Sequence, residues 1–197
     1  MRYDAEHKQR THDKVVKAAA KVIRAKGPDR VAVAEVMAQV GLTHGGFYAH
    51  FASKDDLVCA AIGQMFEESR ARLVHETADR SPRAALAGYV DFYLSQAHRD
   101  ARRSGCPVAA LASDLPRLSA RVRHQFAEGR QRLVAGLGGL IRELGLRNAE
   151  AEANSVFAEL LGALSLARME PDAATSDAIL AASKRSIRRR LNLEAVS

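Results

Sequence analysis

Val33-Ala34-Glu35-Val36-Met37-Ala38-Gln39-Val40-Gly41-Leu42-Thr43-His44-Gly45-Gly46-Phe47-Tyr48 reads as helix, tight turn, helix. Val33, Val36, Met37 and Val40 fall on one face at helical spacing. Gly41 stops that helix, because glycine enters the left-handed region without a Cβ penalty. Leu42 is expected to tuck between the two helices. Thr43 is expected to cap the second by accepting a hydrogen bond from its first amides. This is the spacing of a helix-turn-helix, whose second helix enters the major groove of DNA. His44-Gly45-Gly46 is a poor opening for a helix kept only for stability, since each glycine costs roughly 1 kcal/mol relative to alanine. Missing side chains make sense where the backbone must approach another surface, and a DNA groove is one. Tyr48, His50 and Lys54 add donors suited to phosphates or base edges. Phe51 reads as core; Phe47 is open between packing and a thymine methyl.

The charge around this stretch points the same way. The chain has 197 residues and a net charge of +7. Residues 1–55 hold ten Lys/Arg (Arg2, Lys8, Arg10, Lys14, Lys17, Lys21, Arg24, Lys26, Arg30, Lys54) against six acids, giving +4 in that segment and +3 in the remainder. A basic N-terminal segment favours an anionic partner, with nucleic acid first and a solvated basic surface as the plain alternative. Hydrophobic residues make up 47% and charged residues 27%, a globular balance rich enough to bury a core. Apolar runs such as 57–66 reach about half the ~20 residues a membrane span needs, so no membrane role is expected. The charged residues just after Met1 argue against a secretory signal. With two cysteines, Cys59 and Cys106, a disulfide framework is excluded and a cytoplasmic location is expected.

Helix signals continue to the end. Thr11 can cap a first helix carrying Val15, Ala19, Val22 and Ile23, which Gly27-Pro28 ends. Ser53 caps a helix from Lys54 to about Glu76. Ser81-Pro82 opens one reaching about Asp100. A short helix spans Cys106 to Ala112. A long one runs from Pro116 or Arg117 to about Leu144, Asn148 caps another to Met169, and a last one runs from about Thr175 to Leu191. The expected fold is all-α with about nine helices: a three-helix DNA-binding domain over 1–55 and a helical domain over 56–197.

Residues 31–57 resemble the helix-turn-helix of the tetracycline-repressor-like (TetR) bacterial transcription regulators. The residues that carry this are Val33 to Ala38, Gly41-Leu42-Thr43, Gly45-Gly46-Phe47-Tyr48-Ala49-His50-Phe51, Lys54 and Leu57. The pair Gly45-Gly46 departs from the pattern, where a single glycine is usual. The resemblance implies that Thr43, His44, Gly45, Phe47, Tyr48, His50 and Lys54 face DNA, with Tyr48 and Lys54 on phosphates. Lys8, Arg10 and His12 would reach phosphate from the N-terminal arm. It implies a homodimer on a near-palindromic double-stranded DNA operator, and a C-terminal domain that senses a small molecule or electrophile and dimerises. The dimer face would come from the last two long helices, with Leu160, Gly162, Ala163, Leu164, Ala167, Ile179, Ala182 and Ile187.

The helix around Val156 to Ala167 is apolar nearly all round, so it must be covered on two sides. The alternative to a dimer face is a central core helix of a monomer. The bases of Lys184 to Arg190 read as a cationic helix end offsetting the dipole, with a second DNA contact as the alternative. Polar and aromatic residues on the middle helices are the pocket candidates: Met65, Phe66, Tyr89, Tyr93, Arg121, His124, Gln125, Phe126 and Phe157. Cys106 joins them as a candidate trigger, because a helix start and the nearby Arg102-Arg103 favour thiolate. The plain reading of Cys106 is a small buried hydrophobe. Cys59 reads as inert. No Gly-rich phosphate loop, GxSxG or HExxH occurs, and the histidines do not pair with the cysteines at zinc spacing. No enzyme, cofactor or metal is therefore expected. The alternative to a ligand-responsive repressor is an all-α small-molecule or redox-sensing protein without DNA binding.

Overall fold

A computed structural model describes residues 2–194, with side chains from Glu6 onward. The side chains of Arg2 and Asp4 counted above lie outside the described residues. Nine α-helices and two 3₁₀ turns follow in order. They are α1 (Arg2–Lys26), α2 (Val33–Gln39), a 3₁₀ turn (His44–Ala49), α3 (Lys54–Thr77), α4 (Pro82–Tyr93), α5 (Gln96–Asp100), α6 (Pro107–Leu111), a second 3₁₀ turn (Leu115–Arg117), α7 (Ala120–Glu143), α8 (Ala149–Met169) and α9 (Ala173–Arg190). No strand occurs among the described residues, and none of their helices is long and apolar enough to cross a membrane.

Several helix ends differ from the sequence reading for local reasons. α1 begins at Arg2, so Thr11 is interior and caps nothing. No glycine or proline interrupts residues 2–11, and Gln9 Nε2 donates to Asp13 one turn on, at 2.8 Å. The helix expected to reach Asp100 breaks after Tyr93. There the Ser95 hydroxyl donates to the Phe92 carbonyl at 2.7 Å and accepts from His98 N at 3.1 Å, replacing the helical ladder with a new cap. α7 starts at Ala120, later than expected, with Ser119 accepting from Val122 N at 3.2 Å. Asn148 does not cap through its side chain; it takes φ +55 ahead of α8.

The chain forms two compact units: Met1–Glu67 with Cys106–Gly129, and Glu68–Gly105 with Arg130–Ser197. The expected division at 55/56 falls inside the first. Its extra members are held by named contacts. The buried Arg24 donates through Nη2 to the Met65 carbonyl at 3.3 Å. Asp55 accepts from the Ser119 hydroxyl at 3.0 Å, and Asp56 pairs with Arg121. Phe66 meets Phe126 edge to face at 5.0 Å, and Gly129 leaves the room, since a Cβ there would sit 2.3 Å from the Phe66 ring.

The second unit has a core of Leu86, Tyr89, Val90, Tyr93, Leu137, Ile141, Val156, Leu160 and Leu164. Here α8 and α9 pack against each other, with Ser176 Oγ donating to the Ala167 carbonyl at 2.7 Å. At the α4–α5 junction, His98 is 5% exposed, stacks on Phe92 at 5.1 Å, and donates from Nδ1 to the Tyr93 carbonyl at 2.8 Å. Burial holds its pKa below the usual 6.5, helped by the nearby Arg168 and Arg72. The unfolded chain therefore binds this proton more readily than the folded one. The stabilisation is complete above pH 6.5 and fades as the pH falls through the folded value. Thermal melts taken down this range should show a steeper loss for the native chain than for His98→Asn, which keeps a donor but does not titrate.

Candidate nucleic-acid interface

The turn between α2 and the 3₁₀ segment closes as a Schellman motif. Leu42 N bonds the Met37 carbonyl at 2.9 Å, and Gly41 N bonds that of Ala38 at 3.1 Å. Gly41 sits at φ +76, the conformation the sequence required of it. Leu42 is half-buried rather than fully tucked in. The second element is not the expected α-helix. It is a 3₁₀ turn of six residues, with Gly46 N bonded to the Thr43 carbonyl at 3.1 Å. Two successive glycines weaken the α form, and i→i+3 bonding tightens the segment instead. Thr43 precedes it with no side-chain cap bond, so it opens the element through its backbone alone.

An aromatic ladder holds this segment. His12 of α1 stacks on Phe51 at 4.7 Å and 25°, and Phe51 stacks on Phe47 at 5.4 Å and 22°. Phe47 is 2% exposed, so it is an anchor and does not face a groove. Its place between packing and thymine contact is settled by its neighbour, because consecutive residues in a helical turn point in different directions. Tyr48 is 68% exposed, flanked edge-on by Phe47 at 5.2 Å and His44 at 6.2 Å. Thr43, His44 and Gly45 are exposed with it, and His50 is half-buried. A Cβ on Gly45 would meet nothing within 4 Å, and Gly45 has no positive φ. Nothing inside the chain demands glycine there. Gly46 differs, since a Cβ there would lie 3.7 Å from Met37 Cε.

The charges of the site are arranged around it. Ser53 Oγ caps α3 by accepting from Asp56 N at 3.1 Å. Lys54, the first residue of that helix, donates to the Asp29 carbonyl at 2.9 Å. An ammonium carries three protons, so two remain for an anion. Lys8 and Arg10 are exposed, and so are Lys14, Lys17 and Lys21 further along α1. Lys26 is spent on Glu35 at 2.7 Å. The sequence reading missed the run Arg10, Lys14, Lys17, Lys21; its three- and four-residue spacing was the available signal.

His50 sits against α1. Its ring lies 6.5 Å from His12, and its Nδ1 is buried with no hydrogen-bond partner. Burial, then the charges of Lys8 and His12, push its pKa below 6.5.

The ten pocket candidates fall in both units. Met65, Phe66 and Phe126 are core of the first unit, while Tyr89, Tyr93 and Phe157 are core of the second. Arg121 and His124 are surface residues, paired with Asp56 and with Glu128 at 3.2 Å respectively. Gln125 is half-buried over Gly63. Cys106 and Cys59 are both buried, and burial pushes the Cys59 thiol up in pKa although Arg121 opposes it. A groove of about 600 Å³ does exist in the second unit, but it is lined by Leu94, Gln96, Leu180, Lys184 and their neighbours and by none of the candidates.

Five of the eight expected dimer residues are also internal. Leu160, Ala163, Leu164, Ala167 and Ile187 are buried within one chain, where they join α8 and α9 to their own unit. Gly162 and Ala182 are exposed and Ile179 is half-buried. The basic end of α9 is largely neutralised. Arg188 pairs with Asp91 at 2.7 Å, Lys184 with Asp91 at 3.5 Å, and Arg190 with Glu152 at 2.8 Å and Glu159 at 2.9 Å. Phe47→Ala should remove the buried end ring of the aromatic ladder and cost about 3–5 kcal/mol of stability, read by denaturant unfolding.

Known proteins place this architecture. Residues 15–61 match the family model described as bacterial regulatory proteins, tetR family. A Bacillus subtilis protein, the uncharacterized HTH-type transcriptional regulator YfiR, is 26% identical over 103 residues, which cover 52% of this chain and 50% of that protein. The match thus spans about half the length of that relative. Among solved structures, a TetR-family transcriptional regulator from Agrobacterium tumefaciens is 27% identical with a TM-score of 0.77, over 91% of this chain and 98% of that one. A TetR transcriptional regulator from Chloroflexus aurantiacus shares the fold at 24% identity and a TM-score of 0.81, over 95% and 96% of the two chains. With the turn at Gly41, the aromatic ladder and the all-helical fold already in hand, residues 15–61 are similar to the helix-turn-helix module of the tetR family of bacterial regulatory proteins.

Proposed function

We propose that this protein is a ligand-responsive transcription regulator, most simply a repressor, that binds a near-palindromic DNA operator as a homodimer in the cytoplasm. The observation that carries this is Gly45. With open space where its Cβ would stand, Gly45 and the exposed Tyr48 beside it leave bare backbone and a donor on one outward face. A duplex surface fits, because phosphates and base edges are approached by bare backbone and by donors. Thr43, His44, Gly45, Tyr48, His50 and Lys54 form that face, with Lys8 and Arg10 adding charge. Phe47 supports it from beneath.

Titration with DNA at several salt concentrations tests this. Log affinity should fall steeply against log salt, in proportion to the phosphates neutralised. Gly45→Ala should fold as well as the native chain or better, since alanine is favoured by about 1 kcal/mol in helical backbone. Its duplex affinity should nevertheless drop at least tenfold. A flat salt response would favour a sensor that does not bind DNA.

The dimer face we infer is the outer side of α8 and α9. Ala158, Gly162, Leu166 and Met169 are exposed along α8, with Leu166 at 55% and Met169 at 75%. Ala174, Ala178 and Ala182 are exposed along α9 at four-residue spacing. Small residues let two such faces approach closely, and large exposed apolar side chains on one face mark a contact surface. Pairing would hold two reading segments about 34 Å apart, one turn of duplex. A small effector would then act by favouring a shape in which that spacing is lost. The burial of both thiols favours a small molecule over thiol modification as trigger. Leu166→Glu with Met169→Glu should convert a dimer to a monomer in sedimentation and weaken operator binding. A native chain that sediments as a monomer would refute the face.

A further inference from the structure

The position of His50 has a consequence for how the interface is charged. It follows the 3₁₀ segment as its C-terminal cap, half-buried, and its Nδ1 is buried without an acceptor. As an imidazolium, both ring nitrogens carry protons, so one N–H would be left buried and unbonded. The groups that face the ring sharpen this. From α1 come Lys8 and His12, one turn apart on the side that meets the aromatic ladder. From its own segment the neighbour is the uncharged Phe51, at 6.5 Å. On the same helix, Asp13 Oδ1 lies 3.5 Å from His12 Nδ1 and also accepts from Gln9.

We propose that His50 couples duplex binding to proton uptake: it is neutral in the isolated protein and becomes a cation when DNA phosphates lie against this face. The proposal rests on the DNA-binding reading above. Two of the influences that keep the ring neutral are the positive charges of α1. Phosphates neutralise those charges and offer His50 an anion of its own, so both influences reverse on binding. The pKa of the ring in the isolated protein is already depressed, which leaves room for it to rise. The sign follows from linkage. A complex that holds more protons than its free components tightens as the pH falls. The aromatic ladder adds the structural means, because His12 is clamped on Phe51 and cannot swing away from His50 without unstacking.

The test uses the full chain and a 40-base-pair duplex of mixed sequence at fixed low salt. Affinity should increase from about pH 8 to about pH 5.5, approaching tenfold per pH unit for each proton coupled per head. Calorimetric titrations at about pH 6.5 in two buffers of different ionisation enthalpy should show net proton uptake by the native chain. His50→Gln keeps a donor without titrating, and its pH slope should be shallower by about one proton per head. His50→Lys, cationic throughout, should bind at pH 8 as the native chain does when acidified. Equal slopes for the native chain and His50→Gln, or no net proton uptake, overturn the proposal while leaving DNA binding intact. Failure to bind duplex at any pH overturns the regulator reading and this inference together.

Discussion

The stack of His12 on Phe51 on Phe47 is the interaction on which the working end of this protein depends. A 3₁₀ segment of six residues with two glycines has little stability of its own, because its hydrogen bonds are poorly aligned and glycine resists ordering. It is held in place by burying Phe47 and by stacking that ring on a residue beyond the segment. α1 contributes the third ring, so the longest helix of the N-terminal unit also fixes this short element. The consequence is a tip that is firm beneath and bare above. Tyr48 and Gly45 stand in solvent while their neighbour Phe47 is locked in the core.

That arrangement separates two jobs that a single helix often performs together. Packing is assigned to Phe47, Phe51, Val36 and Met37. Thr43, His44, Gly45 and Tyr48 are left exposed, outside that packing. A glycine at position 45 contributes nothing to the fold, and the same absence of a side chain opens the backbone to an outside surface. The polar residues around it are similarly uncommitted or only partly committed. Lys54 gives one proton to the Asp29 carbonyl and thereby holds its ammonium near the start of α3.

The rest of the basic surface is not uniform. Along α1, Lys8, Arg10, Lys14, Lys17 and Lys21 are exposed, whereas at the end of α9 three cations are tied to Asp91, Glu152 and Glu159. A count of charges treats these two helices alike. Their partners make one a field available to an anion and the other a brace for the second unit. Exposed ion pairs of this kind contribute little energy each, but they direct which cations stay unneutralised.

The order of residues by itself determined the helical class, the turn at Gly41, the cap at Ser53 and the location of the helix-turn-helix, since these rest on spacing and on local backbone preferences. Residues 33–48 carry the required glycine, the apolar face and the exposed aromatic within a few turns, so nothing distant is needed to read them. Tertiary packing alone decided which side of each apolar helix is inside. α8 is apolar nearly all round, so its spacing could not separate Leu160 and Leu164, which are buried, from Leu166 and Met169, which are not. It likewise decided that Phe47 packs, that Arg121 and His124 are surface ions, and that His12 meets His50 across 38 positions of chain. Side-chain burial and charge partnership are long-range properties, fixed by which surfaces meet after the helices form.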